Sequence, residues 1–169
     1  MSTQAVLELR GTSVTFTNTG GDKLLNAKNL AAAAGRLSAF LDLGSSAKPG
    51  WYEVRAKTGW TANPAVADRM QVALFESDGT NQDAGVAYHA DNDAALTLAQ
   101  INAASTVCVP VQAHTADADA KGSKTVVWLT SRYVAVGVYN ASATGTLLNT
   151  DGATAIILTP VYPEIQAAA

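Results

Sequence analysis

The 169-residue sequence has few charged residues, a single cysteine and no long apolar run. Charged side chains make up 15% of it, against about 25% in an average soluble domain. One cysteine cannot form an internal disulfide, and no stretch reaches the roughly 18 apolar residues of a transmembrane helix, which predicts a soluble chain. A chain of this length buries roughly 70% of the surface that its unfolded form exposes, so it needs neither a disulfide nor a metal ion to fold.

Basic residues are few and scattered. The 11 lysines and arginines occur singly or in loose pairs, and with 14 acidic residues they give a net charge of −3. Because a surface that follows nucleic-acid phosphates needs clustered Lys and Arg, this pattern excludes a nucleic-acid partner. Residues 1–4 lack the basic and apolar regions of a secretory signal, so we expect synthesis in a reducing compartment, no membrane partner, and Cys108 as a buried, inert thiol.

Motifs that carry enzymatic chemistry are missing too. There is no Gly-x-Ser-x-Gly turn and no glycine-rich phosphate loop. The two histidines, His89 and His114, lie in polar stretches that are typical of solvated loops. The sequence therefore predicts no catalytic residue, no cofactor and no enzymatic activity. Strand pairing could still bring distant carboxylates together as in a glycan depolymerase, the candidates being Glu53, Glu76, Asp78 and Asp91.

One segment imitates a calcium loop. Asp117 and Asp119 begin an Asp-x-Asp-x-x-Gly string, but Lys121 occupies a ligand position and Trp128 stands where the bidentate glutamate belongs. The pattern favours a hairpin loop without a bound metal, with an adventitious cation site as the alternative.

The apolar pattern predicts an all-β fold. Short runs rich in Val, Thr, Tyr and Trp are separated by Gly, Asn, Asp and Ser clusters. Residues 51–57 alternate between two faces, whereas 70–76 and 133–139 are apolar on both sides, which predicts central strands covered on both faces. Segments 26–35 and 93–104 also carry helix signals. We expect an antiparallel β-sandwich of jelly-roll kind, with about 8–10 strands and at most one or two short helical turns. The expected strands are 5–10, 13–18, 36–43, 51–58, 69–76, 95–101, 106–113, 125–130, 133–140 and 155–161.

The predicted organisation is one domain with two short ends. Residues 1–10 form either a first strand of the sandwich or an arm that adds to the sheet edge of a neighbouring copy. Residues 11–163 form the single sandwich domain, and 164–169 a flexible tail.

Several strand-and-turn strings, taken together, point to a family. They are LDLG at 41–44, PGWYEVR at 49–55, VALFESDGTN at 72–81, RYVAVGVYN at 132–140 and IILTPVY at 156–162. With these strings the chain resembles the jelly-roll decoration (cement) proteins of tailed bacteriophages, over roughly residues 36–162.

The resemblance implies a structural virion protein without catalytic residues. Such a protein lies on the outer surface of an icosahedral head and ties major capsid subunits together. It is synthesised in the host cytoplasm and assembles as a homotrimer. In such a trimer, heterologous contacts close a ring around a three-fold axis and bury surface that is too apolar for a monomer.

The candidate contact residues lie at the two ends of the chain and near the first long strand. Trp51 and Trp60 flank strand 51–58, where partial exposure would also permit a second hypothesis, a carbohydrate-binding module of a phage tail fibre or adhesin. Trp128, among Val126, Val127 and Leu129, is expected in the core. The predicted protein-interface residues are Val6, Leu7, Leu9, Trp51, Trp60, Val161, Tyr162 and Ile165.

Overall fold

The structure is a computed structural model, and it describes residues 6–44, 50–61, 64–65, 68–80, 86, 93–104, 106, 110–112, 121–143 and 145–165. The side chains of 6–8, 121 and 163–165 are outside the description. The predictions for His89, Cys108, His114, Asp117 and Asp119 fall outside the described residues.

Within the described ranges the chain forms two packed β-sheets and one short helix, which confirms the predicted all-β sandwich. The strands are β1 (Val6–Arg10), β2 (Val14–Thr17), β3 (Lys23–Leu24), β4 (Ala34–Leu37), β5 (Leu41–Asp42), β6 (Gly50–Thr58), β7 (Arg69–Ser77), β8 (Ala94–Leu96), β9 (Val111–Gln112), β10 (Lys121–Leu129), β11 (Tyr133–Asn140) and β12 (Ala155–Ile165), and the helix is α1 (Leu98–Ala103).

The strand order is that of a jelly roll. Sheet A has the order β10-β6-β12-β2-β3, with β1 also paired to β12. Sheet B has the order β8-β4-β11-β7-β9, with β5 also paired to β11. Successive long strands alternate between the sheets, since β6, β10 and β12 lie in sheet A and β7 and β11 in sheet B. Neighbouring long strands in a sheet are therefore distant in the sequence, as in two interlocked Greek keys.

Strand β6 shows why sheet A has one buried and one open face. Tyr52, Val54 and Ala56 are buried and contribute to the core between the sheets, while Arg55 and Lys57 are exposed on the other face. This alternation is the one that the sequence predicts.

Sheet B is buried on both faces, as predicted from 70–76 and 133–139. Its inner face packs in the main core through residues such as Val72 and Val136. On its outer face, Phe75 belongs to a second cluster that the chain builds from β8 and α1 with Leu96 and Ile101. The other buried members of this cluster are Leu37, Phe40, Ala73, Val86, Ala135 and Tyr139.

The helix signals are partly wrong. Segment 26–35 is not helical: Asn29 and Ala33 have positive φ angles of 54° and 57°, which break the run of alanines before β4. The strand predicted over 95–101 ends at Leu96, because Thr97 caps α1 with a capping box. Its hydroxyl accepts the Gln100 backbone N–H, and the Gln100 side chain accepts the Thr97 N–H.

The N- and C-terminal strands are neighbours. β1 pairs with β12 of the same chain, with Leu9 opposite Tyr162 and Arg10 opposite Val161. β12 continues to Ile165, two residues into the segment predicted as a tail. The domain boundaries themselves stay predictions.

Candidate functional site

The described chain leaves the outer face of sheet A open. Antiparallel pairing places the outward side chains of β6, β10 and β12 in rows, since directly paired residues share a face. We call this surface the sheet A face and define it by Arg10, Trp51, Glu53, Arg55, Lys57, Gly122, Lys124, Val126, Trp128, Ala155, Ile157, Thr159 and Val161.

Two tryptophans dominate one end of the sheet A face. Trp51 is opposite Trp128 in the β6–β10 ladder, and their rings meet edge to face, with centroids 5.2 Å apart and planes at 74°. They are 47% and 50% exposed, and the neighbouring Val126 is 53% exposed. The half-buried Val161 extends the apolar row onto β12. Exposed apolar side chains that adjoin in this way mark an interaction surface.

The position of Trp128 corrects the expectation that it lies in the core. In β10 the core side is taken by Val127 and Leu129, which are 3% and 0% exposed. Because side chains alternate along a strand, Trp128 and Val126 must face outward. The same alternation in 121–129 could have identified Trp128 from the sequence, but the apolar flanks obscured it.

A buried carboxylate, Glu53, lies between the apolar end of the sheet A face and its basic end. Glu53 is 4% exposed, and its oxygens accept hydrogen bonds from the Arg55 Nε–H and form an ion pair with Arg10 Nη1 at 2.9 Å. Burial alone would raise the pKa of Glu53, but the hydrogen bonds from the two guanidinium groups outweigh burial and hold the pKa below its ordinary value. Glu53 is therefore a charged, structurally occupied group.

The other end of the sheet A face is a basic groove. A cavity of about 520 Å³ is lined by Arg55, Lys57 and Lys124 together with Ala56, Gly122, Ser123, Ala155 and Ile157. A second groove of about 360 Å³ adjoins it through Arg55 and Ile157 and reaches Arg10, Gly11, Ser13, Thr15 and Thr159. Among the described residues that line the two grooves the charged ones are all basic, which favours anionic groups.

The predicted interface residues are separated by the fold. Trp51 and Val161 lie on the sheet A face. Leu9 and Tyr162 are paired at the end of the sandwich, where they are 47% and 42% exposed although they have the core-facing parity. The other three predicted residues are Val6, Leu7 and Ile165. Val6 pairs with Ile165 and Leu7 with Glu164 between β1 and β12, and their side chains lie outside the description.

Trp60 is fully buried, which corrects its assignment as an interface residue or a sugar platform. After β6 ends at Thr58, the chain forms an isolated bridge between Trp60 and Leu147, and the indole packs in the main core. Its position at a strand end therefore does not expose it.

The three described carboxylates among those considered for catalysis serve local structure: Glu53 as above, Asp78 by accepting the Thr80 backbone N–H, and Glu76. Glu76 on sheet B accepts hydrogen bonds from the Thr106 and Thr130 hydroxyls and from the Thr130 and Ser131 backbone N–H groups. Burial alone would raise the pKa of Glu76, but these hydrogen bonds outweigh burial and hold the pKa below its ordinary value. Asp91 lies outside the described residues. Among the residues that are described, no three His, Cys, Asp or Glu side chains group as metal ligands, and no helix is long and apolar enough to cross a membrane.

Comparison with known proteins adds little. No protein-family model and no curated protein matches the chain. Among solved structures, the structure of Eiger TNF from S. frugiperda is similar with a TM-score of 0.40 and 9% identity, over 90% of this chain and 93% of that chain. A likeness of this size carries no argument, and the jelly-roll assignment rests on the strand order.

Proposed function

We propose that the chain is a non-catalytic decoration (cement) protein that binds the outside of a tailed-phage head and stabilises the major capsid lattice as a homotrimer. The observation that carries the proposal is the open sheet A face, where the half-exposed Trp51 and Trp128 lie side by side. Aromatic residues and arginine, both present on this face, are enriched at protein–protein interfaces. The assignment to a phage head comes from the resemblance of the strand-and-turn strings, and its location is the virion surface.

Two of the described carboxylates are already engaged by neighbouring groups, which supports a binding role. On the sheet A face, Glu53 is engaged by Arg10 and Arg55. On sheet B, Glu76 is saturated with hydrogen bonds from Thr and Ser groups. A carboxylate held by several donors is a poor general acid or base, because its pKa is moved away from neutrality.

The test is binding to heads of the phage that encodes the chain. Purified protein is mixed with empty and with mature heads, and bound protein is recovered by co-sedimentation. We expect saturable binding, a higher temperature of head rupture, and density for the chain at three-fold positions in an image reconstruction. Protein that stays in the supernatant with both kinds of head would contradict the proposal.

A second candidate function, carbohydrate binding in a tail fibre or adhesin, is favoured by the exposed tryptophan pair. Because the rings lie at 74°, they offer one ring face beside one edge, which suits a single sugar unit better than an extended chain. On a glycan array, this function predicts binding that Trp128→Ala removes and that Tyr162→Ala, an exposed aromatic off the face, leaves intact. An array without hits would exclude it.

A further inference from the structure

A pocket of about 410 Å³ lies on the outer side of sheet B, next to α1. Its floor consists of side chains on one face of the β7–β11 ladder, where Gln71 is opposite Tyr139 and Arg69 is two positions before Gln71. One wall is α1, which contributes Leu98 and Asn102, four residues apart and therefore on one side of the helix. Cavities of this volume are within the range of small-molecule sites, and the proposed function does not use this one.

The Gln71 amide lines this pocket, and its Oε1 is buried without a hydrogen-bond donor among the described residues. By contrast, the fold satisfies the buried amide of Asn140 on the other face of β11. That amide donates to the Leu30 and Gly145 carbonyls at 2.9 and 2.7 Å, and its Oδ1 accepts the Ser142 hydroxyl at 2.6 Å. Because most buried polar atoms in native folds are hydrogen-bonded, an orphaned oxygen beside a cavity indicates a partner from outside the chain. The Gln71 side chain has no hydrogen bond within the described chain to lose when it turns towards such a partner.

Arg69 sets the charge of the pocket. It is the charged group among the described residues that line the pocket, and its exposed side chain forms no ion pair with a described residue. Since a guanidinium can donate two parallel N–H bonds to one carboxylate, this group favours a carboxylate ligand. The rest of the lining combines the Asn102 amide with the ring of Tyr139 and with Leu98, which is 44% exposed. A ligand that fits therefore carries a carboxylate, hydrogen-bonding groups and a small apolar surface.

We propose that this pocket binds a small hydroxycarboxylate, a class that includes the sugar acids. The Arg69 guanidinium holds the carboxylate, a hydroxyl of the ligand donates to the turned Gln71 Oε1, and the carbon skeleton packs against Leu98. Because water screens an ion pair at an exposed arginine, we expect a dissociation constant on the order of 1 mM. The proposal does not depend on the proposed function, since the pocket and the sheet A face belong to different sheets.

The first experiment is a two-dimensional ¹H–¹⁵N NMR titration with three probes. Glucuronate carries a carboxylate and hydroxyls, glucose lacks the carboxylate, and acetate lacks the hydroxyls. We expect glucuronate to shift the signals of Arg69, Leu98 and the Gln71 side-chain amide in a saturable way, and the other two probes to bind about tenfold more weakly or less. Equal affinity for glucuronate and acetate would reduce the site to an exposed cation and overturn the proposal. So would the absence of saturable shifts, or shifts that map to the sheet A face.

Two charge variants locate the site. Arg69→Gln removes the cation from the pocket and should weaken glucuronate binding by about tenfold or more, because a charge-assisted hydrogen bond is lost. The matched control Lys124→Gln makes the same charge change in the basic groove of sheet A and should leave the affinity unchanged. Arg69 is exposed, so both variants are expected to fold. Equal weakening by the two variants would mean that the anion responds to the overall charge, and would overturn the proposal.

Gln71→Leu distinguishes a ligand contact from a role in folding. Leucine has a similar size but no acceptor, so glucuronate binding should weaken by about fivefold. The melting temperature should stay the same or rise, because a buried oxygen without a partner is removed. Unchanged binding, or a lower melting temperature together with lost binding, would overturn the proposed contact. Protein that binds phage heads but not glucuronate would contradict this proposal alone, and protein that binds glucuronate but no head would contradict only the proposed function.

Discussion

The two sheets share one core but differ on their outer faces. On sheet B three of the outer residues of the central strands are small, Ala73, Ala135 and Gly137, and they leave room for Phe75, β8 and α1 to pack closely. On sheet A the corresponding positions carry Trp, Arg and Lys, and the described chain adds no covering layer. The same architecture thus covers one outer face with its own polypeptide and leaves long amphipathic side chains exposed on the other.

The largest expected change in the free energy of unfolding comes from truncating an aromatic residue on the covered outer face of sheet B. Phe75 is 0% exposed, so Phe75→Ala leaves a cavity beneath α1 and should lower the free energy of unfolding by about 3–5 kcal/mol. Denaturant unfolding measures this value. The matched variant Val126→Ala, on the open face, should change it by less than about 0.5 kcal/mol. Equal losses in the two variants would mean that the sheet A face is covered as well.

A smaller loss is expected from adding one methyl group under the covering layer. In Gly137→Ala the new Cβ would lie 2.4 Å from Phe75 Cε2 and 2.7 Å from Leu96 Cδ2, so those side chains must shift. We expect a loss of about 1–3 kcal/mol from overpacking. Gly122→Ala is the control on the open face, because its Cβ would meet only the Ala56 carbonyl oxygen at 3.5 Å. Thermal unfolding that shows no difference between the two variants would contradict the close packing.

Removing the charge of Glu53, the buried carboxylate of the open face, should lower the free energy of unfolding by a smaller amount. In Glu53→Gln the ion pairs with Arg10 and Arg55 are lost, and since both arginines are about half exposed, we expect a cost of about 1–2 kcal/mol. The pKa of Glu53 is below its ordinary 4.5 in the folded chain, so its contribution is present above that pH and is lost as the pH falls through the folded pKa.

The check is unfolding as a function of pH. The difference in stability between wild type and Glu53→Gln should shrink on acidification below about pH 4.5. Asp151→Asn removes an exposed pair with Lys28 and should leave stability nearly unchanged, because solvent screens the pair. A difference that does not depend on pH would show that packing rather than charge explains the Glu53 variant.

The smallest effect on folding should come from truncating an exposed aromatic residue of the sheet A face. Trp128 is half exposed and contacts Trp51 edge to face, so Trp128→Ala should lower the stability of the monomer by no more than about 1 kcal/mol. Unfolding is measured at a concentration where the protein is monomeric. A loss of several kcal/mol would place Trp128 among the core residues, as its apolar neighbours in the sequence suggest.

The sequence predicted the elements whose pattern is local and failed where a tertiary choice was needed. The alternation in 51–57 and the two-sided runs in 70–76 and 133–139 correctly identified the open and covered strands. The predictions for two tryptophans were wrong in opposite directions: Trp60 was expected to be exposed and is buried, and Trp128 was expected to be buried and is exposed. The burial of a tryptophan depends on which face of its strand meets the other sheet. The alanine run at 31–34 has high helix propensity, yet Ala33 takes a left-handed conformation and the run leads into β4.

The candidate site could be predicted only in part. Trp51 and Val161 were found from strand-end position and from the C-terminal pattern. Lys57 and Lys124 were not singled out, because they are 67 positions apart in the sequence and meet only through the β6–β10 pairing. Scattered basic residues in a sequence can therefore still form a basic patch across a sheet.

The position of β12 in the middle of sheet A has a consequence for the order of synthesis. β12 bonds to β6 on one side and to β1 and β2 on the other, so the N-terminal strands have no place in the sheet until residues 155–165 have left the ribosome. Pairings this distant in the sequence are slow to form, on the order of milliseconds to seconds. Until then the apolar side of β6 has no complete sheet around it, so the nascent chain depends on its last strand to be protected from aggregation.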